Sequence, residues 1–398
     1  MGSAREKVLI PSVRDVAVIG GGPAGLIAAR NLAAAGRDVV VLEEHEEIGV
    51  PVHCTGLLGS DAFDELDLPR TSVLATAHSA RFVAADGSSV LVDAERVRAS
   101  IVDRARFDQG LAAAARAAGA EIRCGERVRR LIPGDDGVTT CGDTAGSSVR
   151  ARVCVLACGA SYRFNRELGF GVPQSFIQSA QLELPFDGPD EIEVHLGRGT
   201  APGGFAWVVP FRRGDQRFNR LGLMCEAAAG AHFEEFASRV RATYPGVCAD
   251  LEPRMKMLPL APVPRTFGHR VLAVGDAAGL VKPTTGGGIY YGLVSGDLAA
   301  RVLDGALRDD DLSERRLKEY ETRWRQRLGP EIRTALAFRA LMLRLNDGAI
   351  NALVELARVD GLVPLLRQTA DFNWHRRAAL SLLRHAQFRR IILGSLWS

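Results

Sequence analysis

The sequence predicts a mixed α/β fold, α+β overall, with a parallel-sheet domain, an inserted antiparallel β-sheet domain and a C-terminal helical region. A strand, a glycine loop, a helix and a second strand follow one another over residues 15–43, which is the repeating unit of a parallel sheet. From about 170 to 265, apolar and polar residues alternate with period two, which is typical of antiparallel strands. Beyond 311 the apolar residues recur at helical spacing. We therefore expect the three units, in that order, at residues 1–75, 101–165 and 266–310, at 76–100 and 166–265, and at 311–398.

The first stretch, residues 15–43, reads DVAVIGGGPAGLIAARNLAAAGRDVVVLE. In a strand–loop–helix unit of this kind, Gly20 permits the tight turn, Gly22 lets the backbone approach a pyrophosphate, and Gly25 lets the helix pack close to the strand. The pyrophosphate accepts hydrogen bonds from the free N–H groups of the helix N-terminus. Glu43 ends the second strand, where a carboxylate accepts hydrogen bonds from an adenosine ribose. The stretch therefore predicts a Rossmann-like domain that binds a dinucleotide.

Composition excludes several classes of function. The formal net charge of +3 over 398 residues is too small to predict nucleic-acid binding. The 7 cysteines form no CxxC pair and no ligand-spaced cluster with histidine, which indicates a reducing compartment and no structural metal site. Residues 1–14 lack the apolar core of a signal peptide, and no apolar run reaches the roughly 18 residues of a membrane-spanning helix. We therefore expect a cytoplasmic protein, either soluble or attached peripherally to a membrane.

The loop at residues 49–56 reads GVPVHCTG and places Cys54 between a histidine and a threonine. Cys54 is either a buried structural thiol, the commoner role of a cysteine, or a group beside the reactive end of the cofactor, because the loop directly follows the ribose-binding strand. Arg104 begins an alanine-rich helix, where it either reaches a cofactor phosphate or ring edge or is an ordinary surface arginine. The residues alone leave both pairs of alternatives open.

The middle of the chain supplies the strands of the inserted sheet. Residues 78–92 predict a hairpin with Asp86-Gly87 at its turn. Further strands are expected at 178–184, 191–196, 205–211 and 220–225. An antiparallel sheet inserted in a dinucleotide-binding fold is a natural wall for a substrate pocket. Before it, a strand at 153–157 ends in Cys158-Gly159 beside the dinucleotide-binding sheet.

A second glycine-rich stretch follows the inserted sheet. The strand 271–274 ends in Gly275-Asp276, which places a carboxylate at the sheet edge, where it accepts hydrogen bonds from a polyol such as ribitol. The run KPTTGGG then opens a helix at Ile289, although its three glycines, 286–288, destabilise a helix. A close backbone approach to a flat ring explains these glycines, and the helix N-terminus favours negative charge on the pyrimidine ring of an isoalloxazine. We therefore expect the dinucleotide to be a flavin.

The end of the chain is helical and basic. Helices are expected over 317–328 and 331–346, and residues 374–398 mix arginines with leucine, isoleucine and aromatic residues. This tail is either an interfacial helix whose basic edge meets anionic lipid headgroups, or a terminal helix that packs on its own protein with a solvated basic face.

Taken together, these motifs resemble the geranylgeranyl reductase family of FAD-dependent oxidoreductases, which share the p-hydroxybenzoate hydroxylase type of flavoprotein fold. The matching segments are VAVIGGGPAGLIAA with Glu43, PVHCTG around Cys54, DRARFD at 103–108, VGDAAG at 274–279 and KPTTGGGIYYGLVSG at 282–296. The resemblance implies FAD as the cofactor and places Cys54 near the flavin, where it is the candidate catalytic residue that shapes the site or donates a proton. The cofactor-binding residues that follow from the motifs are Gly20, Gly22, Pro23, Ala24, Gly25, Glu43, Glu44, Cys54, Arg104, Gly159, Gly275, Asp276, Pro283, Gly286, Gly287, Gly288 and Ile289.

The family's substrate motif, an aromatic-x-Trp-x-x-Pro followed by Gly-x-Gly, has a counterpart at Phe205, Trp207 and Pro210, which are the candidate substrate-wall residues. The glycine pair departs from the pattern, because Arg220 stands where its first glycine falls, two residues before Gly222. The resemblance implies a reductase that hydrogenates the C=C bonds of a geranylgeranyl-type prenyl chain by hydride transfer from reduced flavin. Its substrate is a prenylated small molecule or lipid, and a lipid fits the basic and apolar tail.

Two other functions are compatible with the same fold. One is an aromatic monooxygenase of hydroxylase or halogenase type, although Phe205 replaces the first tryptophan of the halogenase WxWxIP pattern. The other is an electron-transfer flavoprotein that reduces a quinone, which an iron–sulfur cysteine cluster would favour and this sequence lacks. The sequence contains no second nucleotide fingerprint for NAD(P)H. The hydride source is therefore either transiently bound NADPH or a reduced protein such as ferredoxin.

Overall fold

The computed structural model describes residues 13–94, 98–143, 148–244, 246, 252–359 and 361–396. Within these ranges the strands, in chain order, are β1 (Arg14–Ile19), β2 (Val39–Leu42), β3 (Leu57–Gly59), β4 (Val73–Ala77), β5 (Ser79–Val83), β6 (Ser89–Asp93), β7 (Ala99–Val102), β8 (Glu121–Arg123), β9 (Val128–Gly134), β10 (Gly137–Gly142), β11 (Ser148–Leu156), β12 (Phe176–Leu184), β13 (Ile192–His195), β14 (Phe205–Arg213), β15 (Gln216–Cys225), β16 (Arg254–Pro259), β17 (Phe267–Gly268) and β18 (Val271–Ala273).

The helices of the described ranges are α1 (Pro23–Ala34), α2 (Ala62–Glu65), α3 (Arg104–Ala117), α4 (Arg163–Glu167), α5 (Ala229–Thr243), α6 (Ile289–Arg308), α7 (Glu314–Arg327), α8 (Gly329–Met342), α9 (Asp347–Val359), α10 (Leu362–Thr369), α11 (Arg376–Arg384) and α12 (Ala386–Leu396). A short 3-10 turn, Gly275–Ala278, follows β18.

The first sheet carries the predicted Rossmann-like unit. Its strands lie in the order β17-β18-β11-β1-β2-β8, and β1 pairs in parallel with both β11 and β2. Every residue of β2 is buried, as expected for a parallel strand that is covered on both faces. On one face α1 packs against α3 and α6. The carboxyl ends of β1, β2 and β18 therefore meet at one edge of this sheet, where ligands of such folds bind.

The second sheet forms the inserted domain, with strands in the order β16-β12-β15-β14-β13-β5-β6. The predicted hairpin is confirmed as β5 and β6. One pairing differs from the antiparallel expectation, because β5 runs parallel to β13. The two strands are far apart in sequence, so no tight turn dictates their relative direction. One face of the sheet is covered by α5, a helix that the alternating pattern did not indicate, through Phe233 and Phe236.

A third, small sheet of order β3-β7-β4 lies against the second sheet. Ile101 of β7 packs with Val209 and Phe211 of β14 in one buried cluster. The strand β4 extends across the expected domain boundary at 75/76, and β7 across the one at 100/101. This sheet thus joins the parallel-sheet domain to the inserted domain.

The C-terminal helices divide between two buried clusters. Tyr320 and Trp324 of α7 belong to the core of the first sheet. Leu345 and the later helices pack instead on the β5–β6 hairpin, around Ala84 and Val90. The helical region therefore contacts both other units.

The tail forms two helices, α11 and α12. Phe388 and Ile392 of α12 are buried in the cluster on the hairpin, whereas Arg389 and Arg390 are exposed and Leu393 is 56% exposed. Most of the apolar side therefore packs on the protein. No helix in the described part of the chain is both long and apolar enough to cross a membrane.

Candidate active site

The glycine turn after β1 forms an open cradle in front of α1. Gly20 has a φ of +110°, and an added Cβ would lie 2.3 Å from the Ala157 carbonyl oxygen. A Cβ on Gly25 would lie 2.2 Å from the Gly20 carbonyl oxygen, whereas one on Gly22 would meet no heavy atom within 4 Å. Pro23 is the first residue of α1. The free space at Gly22 and the N–H groups of the helix N-terminus fit the pyrophosphate of a dinucleotide.

The Glu43 carboxylate lies at the end of β2 beside this turn. Its Oε2 accepts a hydrogen bond from the backbone N–H of Gly21 (2.6 Å), and its Oε1 accepts one from the backbone N–H of His45 (3.0 Å). Oε1 also lies 2.5 Å from the His45 Nδ1, so Oε2 is the oxygen that keeps a further lone pair for a hydroxyl donor. The adjacent Glu44 points outward and pairs with Arg127 at 3.0 Å.

One cleft of about 450 Å³ brings many of the expected residues together. The expected cofactor-binding residues that line it are Gly20, Gly22, Glu43, Glu44, Cys54, Arg104 and Gly159. His53 and Lys256 also line it. Burial, Lys256 and Arg254 all lower the pKa of His53. The cleft therefore carries cations on the side of the second sheet, which suits an anionic ligand.

Arg104 begins α3 and faces into this cleft. Its Nη2 pairs with the Asp108 Oδ2 at 2.9 Å, and the Cys54 side chain is close enough to affect its pKa. Burial acts to lower the pKa of Arg104, but Asp108 and Cys54 outweigh it, so the pKa is raised and the guanidinium stays charged. The Cys54 Sγ accepts a hydrogen bond from the Gly56 backbone N–H at 3.4 Å. Arg104 is thus not an ordinary surface arginine, and Cys54 lies in the cleft wall.

The second glycine-rich stretch meets the first at Asp276. A Cβ on Gly275 would lie 2.8 Å from the Ala24 Cβ, and one on Gly288 would lie 2.7 Å from the Asp276 Oδ1. The Asp276 Oδ2 is 3.7 Å from the Lys256 Nζ. Gly275 therefore packs against α1, and the carboxylate of Asp276 lies between the triglycine turn (residues 286–288) and Lys256.

The triglycine turn faces the second sheet. A Cβ on Gly286 would lie 3.0 Å from the Leu258 Cδ1 and 3.5 Å from the Met224 Sδ. The strand register puts Phe205 opposite Met224, and Phe205 and Trp207 are in contact, with ring centroids 5.7 Å apart. We call this side of the sheet, opposite α5, the site face. Leu258 and Met224, next to the turn, are apolar, whereas Lys256 lies in the same cross-strand row as Met224. Gln181 and Arg220 lie farther along the strands.

The structure separates the three candidate substrate-wall residues. Trp207 lies over Gly222 on the site face, since a Cβ there would be 2.4 Å from the indole. Pro210 is separated from Ala206 and Val208 by an even number of residues and so shares their face of the strand, which packs under α5. The expectation that Pro210 lines the substrate wall is therefore wrong, because successive side chains of a strand point to opposite faces.

The ends of the triglycine turn are buried. Pro283 is inaccessible to solvent and Ile289 belongs to the core of the first sheet. Beside Pro283, the Lys282 Nζ donates a hydrogen bond to the Phe372 carbonyl oxygen at 2.7 Å. Pro283 and Ile289, for which the sequence predicts cofactor contacts, thus lie behind the turn.

A C-terminal segment, residues 371–375, closes over this turn, and we call it the clasp. The His375 Nε2 is 3.1 Å from the Phe372 carbonyl oxygen and must donate to it, so Nδ1 accepts from the Thr284 hydroxyl at 2.5 Å. Burial, reinforced by Lys282, lowers the pKa of His375 to about 3 and keeps it neutral. Trp374 packs edge-on against Tyr290, with ring centroids 5.5 Å apart.

Sequence reasoning missed several of these residues. Lys256 was hidden in an alternating strand, RMKMLP, Gln181 carries no motif, and Thr55 was noted only as a neighbour of Cys54 within PVHCTG. The clasp reads DFNWH, and its cluster of polar and aromatic residues is the one local signal in an otherwise ordinary helical region. Their roles depend on contacts between distant segments.

Known proteins share this architecture. Residues 14–329 match the family described as FAD binding domain. The chain is 32% identical over 368 residues to digeranylgeranylglycerophospholipid reductase 1 of Methanopyrus kandleri, which covers 89% of this chain and 96% of the relative. The structure is similar to that of a geranylgeranyl bacteriochlorophyll reductase-like protein from Thermoplasma acidophilum, with a TM-score of 0.83, 23% identity and coverage of 96% of this chain and 99% of that one. It is also similar to a variant of halogenase PltM in complex with FAD, with a TM-score of 0.69, 16% identity and coverage of 97% and 92%.

These comparisons carry different weight. The solved structures are below 25% identity and show the fold, which confirms the predicted fold class. The family match and the Methanopyrus kandleri relative span most of the chain, and the glycine cradle fits FAD. The chain therefore belongs to the geranylgeranyl reductase family of FAD-dependent oxidoreductases.

Proposed function

We propose that this protein uses FAD to hydrogenate the C=C bonds of a geranylgeranyl-type prenyl chain. The observation that carries the proposal is the apolar part of the site face, where Leu258 and Met224 lie against the triglycine turn. A prenyl double bond has no carbonyl to polarise, so its reduction depends on holding it in a dry pocket beside the flavin. The name of the Methanopyrus kandleri relative, a digeranylgeranylglycerophospholipid reductase, supports a prenylated lipid as the substrate.

In this proposal the two glycine-rich stretches divide the cofactor between them. The cradle at Gly22 takes the pyrophosphate, and Glu43 accepts hydrogen bonds from the adenosine ribose. Arg104 and Asp276 serve the linker, where Asp276 accepts from ribitol hydroxyls. The triglycine turn, 286–288, holds the ring.

When bound and reduced, FAD would supply a hydride to one carbon of the double bond. The residues of the protein bind the substrate, exclude water and supply the proton. Phe205 and Trp207 hold the prenyl chain and exclude water. The Cys54 thiol delivers the proton to the other carbon. The Gly56 N–H, which donates to its sulfur, and the nearby Arg104 guanidinium stabilise the charge left on sulfur when the proton leaves.

The test is product mass after reaction of the dithionite-reduced holoenzyme with several geranylgeranyl lipids. We expect a gain of two hydrogens for each reduced bond, and no gain with protein stripped of FAD. If no prenyl acceptor gains hydrogen, the proposal is wrong. Rapid NAD(P)H oxidation stimulated by an aromatic compound would instead support the monooxygenase alternative.

The physiological electron donor is either NADPH or a reduced protein such as ferredoxin. The sequence contains no second nucleotide fingerprint, so it indicates no separate dinucleotide-binding motif for NADPH. Anaerobic flavin bleaching separates them. Bleaching by NADPH alone identifies the nucleotide, and bleaching only by reduced ferredoxin identifies a protein partner.

We also propose that the tail contacts a lipid surface while the enzyme reduces its substrate. The exposed Arg389, Arg390 and Leu393 of α12 combine basic and apolar groups, which bind anionic headgroups and acyl chains respectively. Cosedimentation with phosphatidylglycerol vesicles tests this. We expect binding that falls when Arg389 and Arg390 are replaced by glutamine, and equal binding of the two proteins would contradict the contact.

A further inference from the structure

Arg220 is the most deeply buried charged side chain of the site face, with 1% of its surface exposed. Its Nε pairs with the Glu183 Oε2 at 3.0 Å, and its guanidinium carbon lies 4.5 Å from the centre of the Phe211 ring. A buried guanidinium is costly unless its N–H groups are paired. The remaining partners of Arg220 therefore show what it holds.

Those partners are two backbone carbonyls from another part of the fold. The Arg220 Nη1 donates to the Thr55 carbonyl oxygen at 2.5 Å and to the Val102 carbonyl oxygen at 3.0 Å. Thr55 directly follows Cys54, and Val102 lies two residues before Arg104. One side chain of the second sheet thus ties together the two segments that carry the thiol and its cationic neighbour.

Gly56 shows how tightly these segments cross. Its φ is +70°, and an added Cβ would lie 2.5 Å from the Val102 carbonyl oxygen and 2.7 Å from the Arg220 Nη1. The Val102 N–H donates to the Gly56 carbonyl oxygen at 2.8 Å, while the Gly56 N–H donates to the Cys54 Sγ. Moving the loop away from Arg220 would therefore also move the donor of the thiol.

Two further contacts hold the same loop on the sheet. The Thr55 hydroxyl donates to the Gln181 Oε1 at 2.5 Å, and the Arg254 Nη1 donates to the Val52 carbonyl oxygen at 2.9 Å. Gln181 lies on β12, the neighbour of β15, and Arg254 lies on β16, the neighbour of β12. Of the three anchors, Arg220 alone reaches the segments of both Cys54 and Arg104.

We propose that Arg220 is a positioning residue for Cys54: it fixes where the thiol stands relative to Arg104 and to the site face. The Arg220 guanidinium acts through the Thr55 carbonyl, next to Cys54, and the Val102 carbonyl, two residues before Arg104. The part of the proposal that concerns reduction rests on the proposed function, whereas the position of the thiol does not.

The first measurement is the rate of Cys54 alkylation by iodoacetamide in the holoenzyme, read by peptide mass. In Arg220→Met we expect alkylation at least fivefold faster, with part of the change reversed in Arg220→Lys, whose ammonium reaches a single carbonyl. Arg217→Met is the matched control. Arg217 lies on the same strand and likewise pairs with a carboxylate, Asp190 at 2.8 Å, and a backbone carbonyl, but away from Cys54. An unchanged rate in Arg220→Met, or an equal change in Arg217→Met, overturns the proposal.

The second measurement is a double-mutant cycle on prenyl reduction. We expect Arg220→Met to lower kcat at least tenfold with KM within twofold and FAD content unchanged, and to have no further effect in a Cys54→Ala background. An equal loss in both backgrounds shows a general structural role and overturns the proposal. If Arg220→Met does not fold, Arg220→Lys carries both tests. If the enzyme reduces no prenyl substrate, only the proposed function falls, because the alkylation result stands by itself.

Discussion

Gly22 and Gly25 lie in one turn but have different roles: Gly22 leaves space for a ligand, and Gly25 allows close packing of the helix. Single substitutions can separate the two roles. A Cβ at Gly22 meets nothing within 4 Å, and its backbone, at φ −82° and ψ 175°, suits any residue. We expect Gly22→Ala to keep the melting temperature of the apoprotein while weakening FAD binding at least tenfold, because the methyl group fills the space for the pyrophosphate. Thermal unfolding and FAD titration by fluorescence measure the two effects.

The control is Gly25→Ala. Its Cβ would lie 2.2 Å from the Gly20 carbonyl oxygen and 2.9 Å from the Ala157 Cβ. We expect this variant to lose stability as well as FAD, by the 1–3 kcal/mol typical of overpacking. If both variants lose stability equally, the space at Gly22 is not a ligand space.

Cys54 is tested by its removal. We expect Cys54→Ala to retain FAD but to reduce prenyl double bonds about 10²-fold or more slowly, the usual contribution of a positioned proton donor. Cys141→Ala is the control, because Cys141 lies on β10 and does not line the cleft. Equal activity of Cys54→Ala and the wild type would assign the proton to another group.

Lys282 gives a prediction about pH. It is 5% exposed, and burial lowers its pKa from 10.5 to about 8, against the opposing pull of Asp371 and Asp61. Below pH 8 the folded protein therefore bears the cost of a buried charge. Between pH 8 and 10.5 the unfolded chain binds more protons at this site than the folded one. The free energy of unfolding therefore increases as the pH rises through this range.

We expect Lys282→Met to be more stable than the wild type at pH 7, on the order of 2 kcal/mol, with the difference shrinking by pH 9.5. The Phe372 carbonyl oxygen keeps the His375 donor in this variant. Urea unfolding of both proteins at the two pH values measures it. Comparing the two proteins cancels the cysteines and tyrosines that titrate in the same range, and a constant or growing difference would contradict the prediction.

At the scale of elements, the cross-strand contact of Trp207 with Gly222 should set the shape of the substrate wall. A Cβ on Gly222 would lie 2.4 Å from the indole, so Gly222→Ala displaces the ring from the site face. We expect KM for a prenyl substrate to rise at least fivefold with FAD binding unchanged. Gly199→Ala is the control, since a Cβ there meets nothing within 4 Å. A KM that is equal in the two variants would exclude Trp207 from the substrate wall.

The elements themselves were largely predictable where the signal is local. The β1–α1–β2 unit follows from its glycine spacing and apolar runs, and the hairpin β5–β6 from a turn between alternating strands. The parallel pairing of β5 with β13 was not predictable, because no connection between them constrains its direction. Pro210 was misplaced for a related reason: a motif gives neighbours in sequence, whereas the period of a strand decides which face a side chain joins.

At the scale of the whole molecule, the clasp couples the C-terminus to the cofactor turn. Lys282 and Thr284 bind the clasp on one side of the triglycine turn, so a ligand that orders the turn also orders residues 371–375. We expect FAD added to the apoprotein to slow hydrogen exchange of the backbone amides of 371–375. The peptide covering α9 is the internal control, because α9 packs on the hairpin. Unchanged exchange in the clasp would show that turn and clasp are independent.

The same scale explains what the sequence could not show about the site. Motif residues near one glycine loop, such as Gly20 and Glu43, are brought to the cleft by local geometry. Arg220 and the clasp arrive there through contacts between segments 90 or more residues apart, and Lys256 arrives through the pairing of β16 with β12. No local pattern encodes such contacts. Their residue types were visible, but their partners were not.

The late position of β18 has a consequence for synthesis. This strand, Val271–Ala273, pairs with β11 in the first sheet and leads to Asp276 and the triglycine turn. On the ribosome, the glycine loop of β1 thus emerges some 250 residues before the groups that face it. Both halves of the cofactor cradle are therefore present together only after about two thirds of the polypeptide has been synthesised.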